Sequence, residues 1–205
     1  KLDTAIIIAG GKSTRMGFNK AFMKIGNTSC IELIVNRLKK HFKEIIIVIN
    51  EQAKLPLTDV KITHDKIKNA GPLGGLHAGL EISSSLYSYL IACDMPVISD
   101  ELILYMKSLM SLEPDIIACK NNDFIEPFHA IYGRHLIGRI EQEINTGKCS
   151  LYNLMLKSKT EVISHNTIKK LHKDPCIFTN LNTRQQLAQF TNKEVKYADG
   201  SYANI

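Results

Sequence analysis

Five cysteines (Cys30, Cys93, Cys119, Cys149 and Cys176) are odd in number, and no two of them form a C-x-x-C pair. That argues against a disulfide framework or a zinc site and leads to the expectation of reduced thiols in a cytoplasmic protein. No apolar run approaches the roughly 20 residues needed to span a bilayer. The amino terminus enters a strand pattern at once, so no signal peptide is expected. The first residue is not Met, which suggests processing or trimming. Internal repeats, low-complexity tracts and linkers are also lacking, so the 205 residues read as one domain spanning 1–205. The formal net charge of +6 is not gathered into a basic stripe. Segments such as "KIKN" and "KLHK" are short, as on solvated helix faces, which argues against a nucleic-acid partner. A small phosphorylated substrate suits such a mildly basic chain.

What is present is an alternation of short apolar runs with helical patterns. Thr4–Ala9, Glu44–Asn50, Val60–His64, Tyr89–Cys93 and Asp115–Cys119 read as strands. Most are continuously apolar, the pattern of strands buried on both faces. Ile31, Ile34, Val35, Leu38 and Phe42 recur at helical spacing, behind a capping box of Ser29 and Glu32. Further helices are predicted after Gly71-Pro72, after Ser99, and behind a second capping box, Thr183 with Gln186. The expected fold class is therefore α/β: a Rossmann-like, three-layer arrangement with a mostly parallel sheet and helices on both faces. "EPFHAIY" (Glu126–Tyr132) breaks the rhythm, and its proline suggests the start of an edge or antiparallel strand. In open α/β sheets ligands bind beyond the carboxyl ends of the strands.

At the end of the first strand lies Gly10-Gly11-Lys12-Ser13-Thr14-Arg15-Met16-Gly17-Phe18-Asn19-Lys20. It is not a P-loop, which would need glycine where Ile6 stands, nor a dinucleotide fingerprint, which would need glycine at Lys12. Its glycines let backbone N–H groups approach a ligand, and Lys12, Arg15 and Lys20 supply positive charge, as a triphosphate requires. Asp94, in "ACDMP", follows an apolar strand and is placed to hold Mg²⁺ together with substrate phosphates. The alternative, that Asp94 caps the next helix, is weakened because Ser99 already looks like that cap.

The loop Ala9-Gly10-Gly11-x-Ser13-x-Arg15-Met16-Gly17-x-x-Lys20-Ala21 resembles the signature of the MobA-like nucleotidyltransferases, in particular their molybdenum cofactor guanylyltransferase branch. "AGPLGGLHAGL" (Ala70–Leu80), "IACDMPVI" (Ile91–Ile98), "EPFHAIY" and "FTNLNT" (Phe178–Thr183) agree in order along nearly the whole chain. The resemblance implies a transferase that moves GMP from GTP to the phosphate of molybdenum-loaded molybdopterin and releases pyrophosphate. GTP and molybdopterin are the implied partners, along with a molybdenum-insertion protein and molybdoenzyme apoproteins or their chaperones; Mg²⁺ is the implied cofactor. One departure is Asn19, where the family often has aspartate before the loop lysine.

The same resemblance assigns nucleotide binding to Ile8, Ala9, Gly10, Gly11, Ser13, Arg15, Lys20, Asn50, Asp65, Gly71 and Asp94. Catalytic roles fall to Arg15, Lys20 and Asp94. Asp65 is read by analogy as the carboxylate that accepts the N1–H and N2–H₂ edge of guanine, against a simpler role in stabilising its turn. Gly71, Gly74, Gly75 and Gly79 either allow close approach beside the nucleotide or serve tight packing. Asn180 and Asn182 are assigned to the acceptor; Asn182 could instead belong to the next helix. His129 is expected to be structural, because phosphate is already anionic at neutral pH and needs no base. Rival readings are a molybdopterin cytidylyltransferase, a sugar-phosphate relative, or a non-catalytic protein that binds nucleotide or delivers cofactor.

Overall fold

A computed structural model describes residues 1–9, 24–25, 28–49, 57–67, 69–172, 175–181 and 186. In chain order the elements are β1 (Thr4–Ile8), a short hairpin of β2 (Lys24–Ile25) and β3 (Thr28–Ser29), α1 (Cys30–Leu38), β4 (Glu44–Ile49), β5 (Lys61–His64), α2 (Gly71–Ile82), β6 (Tyr87–Ala92) and α3 (Asp100–Ser108). Then come β7 (Ile116–Asn121), β8 (Phe124–Gly133), α4 (Ile137–Asn145), α5 (Leu151–Leu156), β9 (Thr160–Ile163) and α6 (His165–Leu171). Among the described residues one seven-stranded sheet has the order β5-β4-β1-β6-β8-β7-β9. Every pairing in it is parallel except those of β8, which runs antiparallel to both β6 and β7.

The unbroken apolar runs follow from burial on both faces. Alternate residues of β1, β4 and β6 enter two separate cores. Ala5, Ile7, Ile45, Ile47, Ile49, Tyr89 and Ile91 pack with α1, α3 and α6. Ile6, Ile8, Ile46, Val48 and Leu90 pack with α2, α4 and α5. A strand between two helical layers has no wet face on which to place polar residues, so its pattern cannot alternate.

The helix starts follow the sequence signals. The Ser29 amide donates to Glu32 Oε2 at 2.7 Å, and the Glu32 amide donates back to Ser29 Oγ at 3.3 Å. Ser99 caps α3 by accepting the Leu102 amide at 3.1 Å. Helix α2 lies close to β1: a methyl group built on Gly79 would sit 2.6 Å from Ile6 Cγ2. Gly79 therefore serves helix-to-sheet packing.

Strand β8 is antiparallel, one of the two expected alternatives, but its proline does not mark an edge, because the strand is interior. The β7–β8 register passes from Ile117↔Ile131 to Cys119↔Glu126, so the one residue at 118 faces the four residues 127–130. Pro127 lies in this bulge, where a missing N–H breaks no ladder bond. Helices α4 to α6 and strand β9 were not anticipated; they are short and interleaved with charge. The expected helix behind Thr183 lies outside the described residues, apart from Gln186.

Replacing Gly79 with Ala is expected to destabilise the fold by about 1–3 kcal/mol through overpacking against Ile6. Urea denaturation of the variant checks this, and wild-type stability would show that α2 can shift away from β1.

Candidate active site

Strands β1, β4, β5 and β6 all end at one edge of the sheet, and the candidate residues gather there. The hydrogen-bond ladder continues past β1 on both sides: the Ala9 amide donates to the Val48 carbonyl at 2.8 Å, and the Cys93 amide to the Ile8 carbonyl at 3.0 Å. Ile8 and Ala9 are thereby held rigidly at the start of the glycine loop. Gly10, Gly11, Ser13, Arg15, Lys20, Asn50 and Asn182 lie outside the described residues.

Asp94 sits in the turn that ends β6, closed by the Met95 amide donating to the Ala92 carbonyl at 3.2 Å. Because Ser99 caps α3, Asp94 is not needed there. The Asp94 carbonyl accepts the Leu181 amide at 2.8 Å. This bond ties the "FTNLNT" segment to the turn and leaves the exposed Asn180 directly beside it. The negative charge of Asp94 is felt by its neighbours. Burial, followed by that charge, pushes the Cys30 thiol up to about 12, so it stays protonated while donating to the Cys93 carbonyl at 3.1 Å.

Asp65 follows β5 and meets the first turn of α2. Its Oδ1 accepts the Ile67 amide at 2.9 Å, which is an Asx turn. A methyl group on Gly74 would lie 2.6 Å from Asp65 Oδ1 and 2.7 Å from Oδ2, so Gly74 makes room for this carboxylate. Gly71, with φ +58°, opens the helix beside them. The amino end of α2 has no side-chain cap, and it presents its N–H groups to the same edge of the sheet. Thus one oxygen of Asp65 serves the turn, while the carboxylate as a whole sits where a nucleotide crossing this edge could meet it.

Sequence reasoning gave no role to Glu126, although the motif around it was singled out. Antiparallel β8 carries this half-buried side chain toward the carboxyl end of β6, near enough to Asp94 for the two charges to interact. Burial raises its carboxyl above the usual range and the Asp94 charge adds to that, while the Phe128 amide, donating to Oε1 at 3.2 Å, works against it. The readable signal was a carboxylate just before a proline at a strand end.

His129 is structural, as expected. It is fully buried with φ +49°, and its Nδ1 lies 2.7 Å from the Tyr89 hydroxyl. Its ring packs edge-on against Phe178 at 5.8 Å, which steadies the segment that reaches Asp94. Burial, and then nearby His172, hold it down to about 3, so it is neutral at physiological pH.

A metal would find one or two carboxylates here. Among the described residues no group of three or more His, Cys, Asp or Glu side chains could enclose an ion. Mg²⁺ commonly binds in this way, with phosphates and waters completing its shell, so the donor set fits. No helix among the described residues is long and apolar enough to cross a membrane.

The family model of the MobA-like NTP transferase domain matches residues 5–161. The chain belongs to that family. It is 40% identical over 194 residues to a protein of Peptoclostridium acidaminophilum described as "Probable molybdenum cofactor guanylyltransferase", covering 92% of this chain and 88% of the relative. Its fold is similar to that of molybdopterin-guanine dinucleotide biosynthesis protein A from Archaeoglobus fulgidus, with a TM-score of 0.79 at 19% identity, covering 94% of this chain and 99% of the other. A Mycobacterium tuberculosis protein crystallised in complex with manganese shares the fold at a TM-score of 0.63 and 13% identity, covering 92% of this chain and 97% of the other.

The neutrality of His129 has a consequence for acid stability. Between pH 6.5 and about 3 the unfolded chain takes up a proton at His129 that the folded chain refuses, so this contribution is complete above pH 6.5 and is lost as the pH falls. In His129→Gln the fall in stability across that window should be shallower by up to about 1.4 kcal/mol per pH unit. Urea midpoints at pH 4–6.5 measure the difference, and parallel acid limbs would assign the proton uptake to another group.

Proposed function

We propose that this nucleotidyltransferase moves GMP from GTP to the phosphate of molybdopterin, yielding the guanine dinucleotide form of the cofactor and pyrophosphate. The observation that carries this reading is the match to the MobA-like family over residues 5–161, with Asp65, Asp94 and the start of the glycine loop collected at one edge of the sheet. Residues 1–205 are read as one domain. The cytoplasm is the expected setting, because substrate and product are soluble phosphates.

In the reaction a phosphate oxygen of the acceptor attacks the α-phosphorus of GTP. The bond from that phosphorus to the bridging oxygen breaks, and pyrophosphate leaves with the electron pair. Two polyanions must meet, so the obstacle is charge, and catalysis consists mainly of positioning and electrostatic stabilisation. The backbone of Gly10–Gly17 and Arg15 hold the triphosphate. Lys20 neutralises charge on the departing phosphate. Asp94 would hold Mg²⁺, which when bound draws charge from the phosphoryl oxygens. Asn180 and Asn182 are the acceptor-side contacts, with Asn180 set beside Asp94 through Leu181. Neutral His129 takes no part as a base, because an acceptor phosphate is already ionised. Lys20 and Asp94 are both present, which argues against a silent binding module.

Incubation with each nucleoside triphosphate, Mg²⁺ and molybdopterin tests the reading. Pyrophosphate and dinucleotide should appear with GTP and not with CTP or ATP; formation of the cytosine dinucleotide would transfer the assignment to the cytidylyl branch. Lys20→Ala should lower turnover roughly 10²–10³-fold with a smaller effect on GTP affinity. Wild-type turnover in that variant would remove Lys20 from the mechanism.

Asp65→Asn probes the base. An amide keeps the shape but points N–H₂ at a guanine donor, and a mismatched buried pair costs about 1–3 kcal/mol. GTP affinity should fall by about ten- to a hundredfold, with ATP and CTP binding little changed. Equal losses for all three nucleotides would reduce Asp65 to its Asx turn.

A further inference from the structure

We infer that Glu126 is a second carboxylate ligand of the divalent-cation site centred on Asp94, so that the site is shared between β6 and β8. This deepens the reading above and rests on its placement of the cation at Asp94. The argument begins with topology. Among the described strands of the sheet, β8 is the one that runs antiparallel to its neighbours, so residues near its start, rather than its end, lie at the carboxyl edge. The β6–β8 ladder runs from Tyr87↔Gly133 to Leu90↔Ala130. Beyond Ala130 the strand runs on through the bulge toward the carboxyl edge, where Glu126 comes within range of the Asp94 charge.

The second step is rigidity. A metal ligand must be held in place, and the bulge that precedes Glu126 in space is fastened at several points. The Tyr132 hydroxyl donates to the Pro127 carbonyl at 2.8 Å. His129 adopts a left-handed backbone, uncommon for a residue other than glycine, and the Tyr89 hydroxyl, 2.7 Å from its Nδ1, holds it from β6. These contacts fix residues 127–129, and the Phe128 amide then fixes one carboxylate oxygen, Oε1. The other oxygen, Oε2, has no hydrogen-bond partner among the described residues. Strain stored in a bulge beside a site suits a device that aims a side chain.

The third step is chemistry. A carboxylate that accepts one backbone N–H and keeps one oxygen available is a usual ligand for a hard cation, and Mg²⁺ or Mn²⁺ commonly takes one or two carboxylates plus phosphates. Two neighbouring carboxylates repel when the site is empty. Bringing a cation between them turns that repulsion into attraction.

The test is Mn²⁺ binding, read from the electron paramagnetic resonance of free Mn²⁺ as the metal alone is titrated into the full chain, with no nucleotide or acceptor. Wild type, Glu126→Gln and Asp94→Asn are compared, with far-ultraviolet circular dichroism and melting as fold controls. Glu126→Gln should keep the fold and bind Mn²⁺ about tenfold more weakly or worse, as should Asp94→Asn. Should the glutamine variant fail to fold, Glu126→Ala carries the same expectation. Wild-type Mn²⁺ affinity in the folded Glu126 variant, with a loss in Asp94→Asn, overturns this inference and leaves the role of Asp94 intact. Undiminished affinity in both variants overturns the metal reading of Asp94 and this inference with it.

Discussion

The site depends on β1 being paired on both sides. Its five residues hydrogen-bond to β4 and to β6 in register, and none is exposed by more than 7%. Those two ladders continue through Ala9 and Cys93 to the last residues before the glycine loop and the Asp94 turn. Burial on both faces makes sliding costly: a one-residue slip would exchange every side chain between the two cores. The ladder bonds at Ala9 and Cys93 therefore tie the start of the glycine loop and the Asp94 turn to the same core strands.

On this frame the site is assembled from segments far apart in sequence, each held by a local device. The Asx turn of Asp65 and the small residue at Gly74 bring the end of β5 against α2. The bulge in β8 brings Glu126 to the edge from the opposite direction. The final segment is drawn in by the Leu181 amide on the Asp94 carbonyl and by Phe178 against His129. In the proposed reaction between two phosphorylated molecules, β1 and α2 serve the nucleotide side and the final segment the acceptor side, with the Asp94 turn, bonded to that segment through Leu181, between them.

Burial decides which groups take part. The Cys30 thiol, lifted by its apolar surroundings, and the neutral imidazole of His129 are packing and positioning elements despite standing next to the site. Asp94 and Glu126 are only partly buried, as the cation site proposed for them requires.

The periodicity of the chain was enough to determine the α/β class, the buried parallel strands, the capped starts of α1 and α3 and the position of Asp94 just beyond a strand. These features rest on interactions within a few residues: alternation or its absence, a serine three residues before its partner amide, a proline closing a turn. Tertiary structure alone decided the strand order, the interior place of β8, the meeting of Tyr89 with His129 and the approach of Glu126 to Asp94. Sequence reading placed Pro127 at a strand margin because it assumed a regular ladder, whereas a bulge accommodates the missing N–H inside the sheet. Pairings between residues tens of positions apart are set by which register fills both cores, and no local pattern in the chain carries that information.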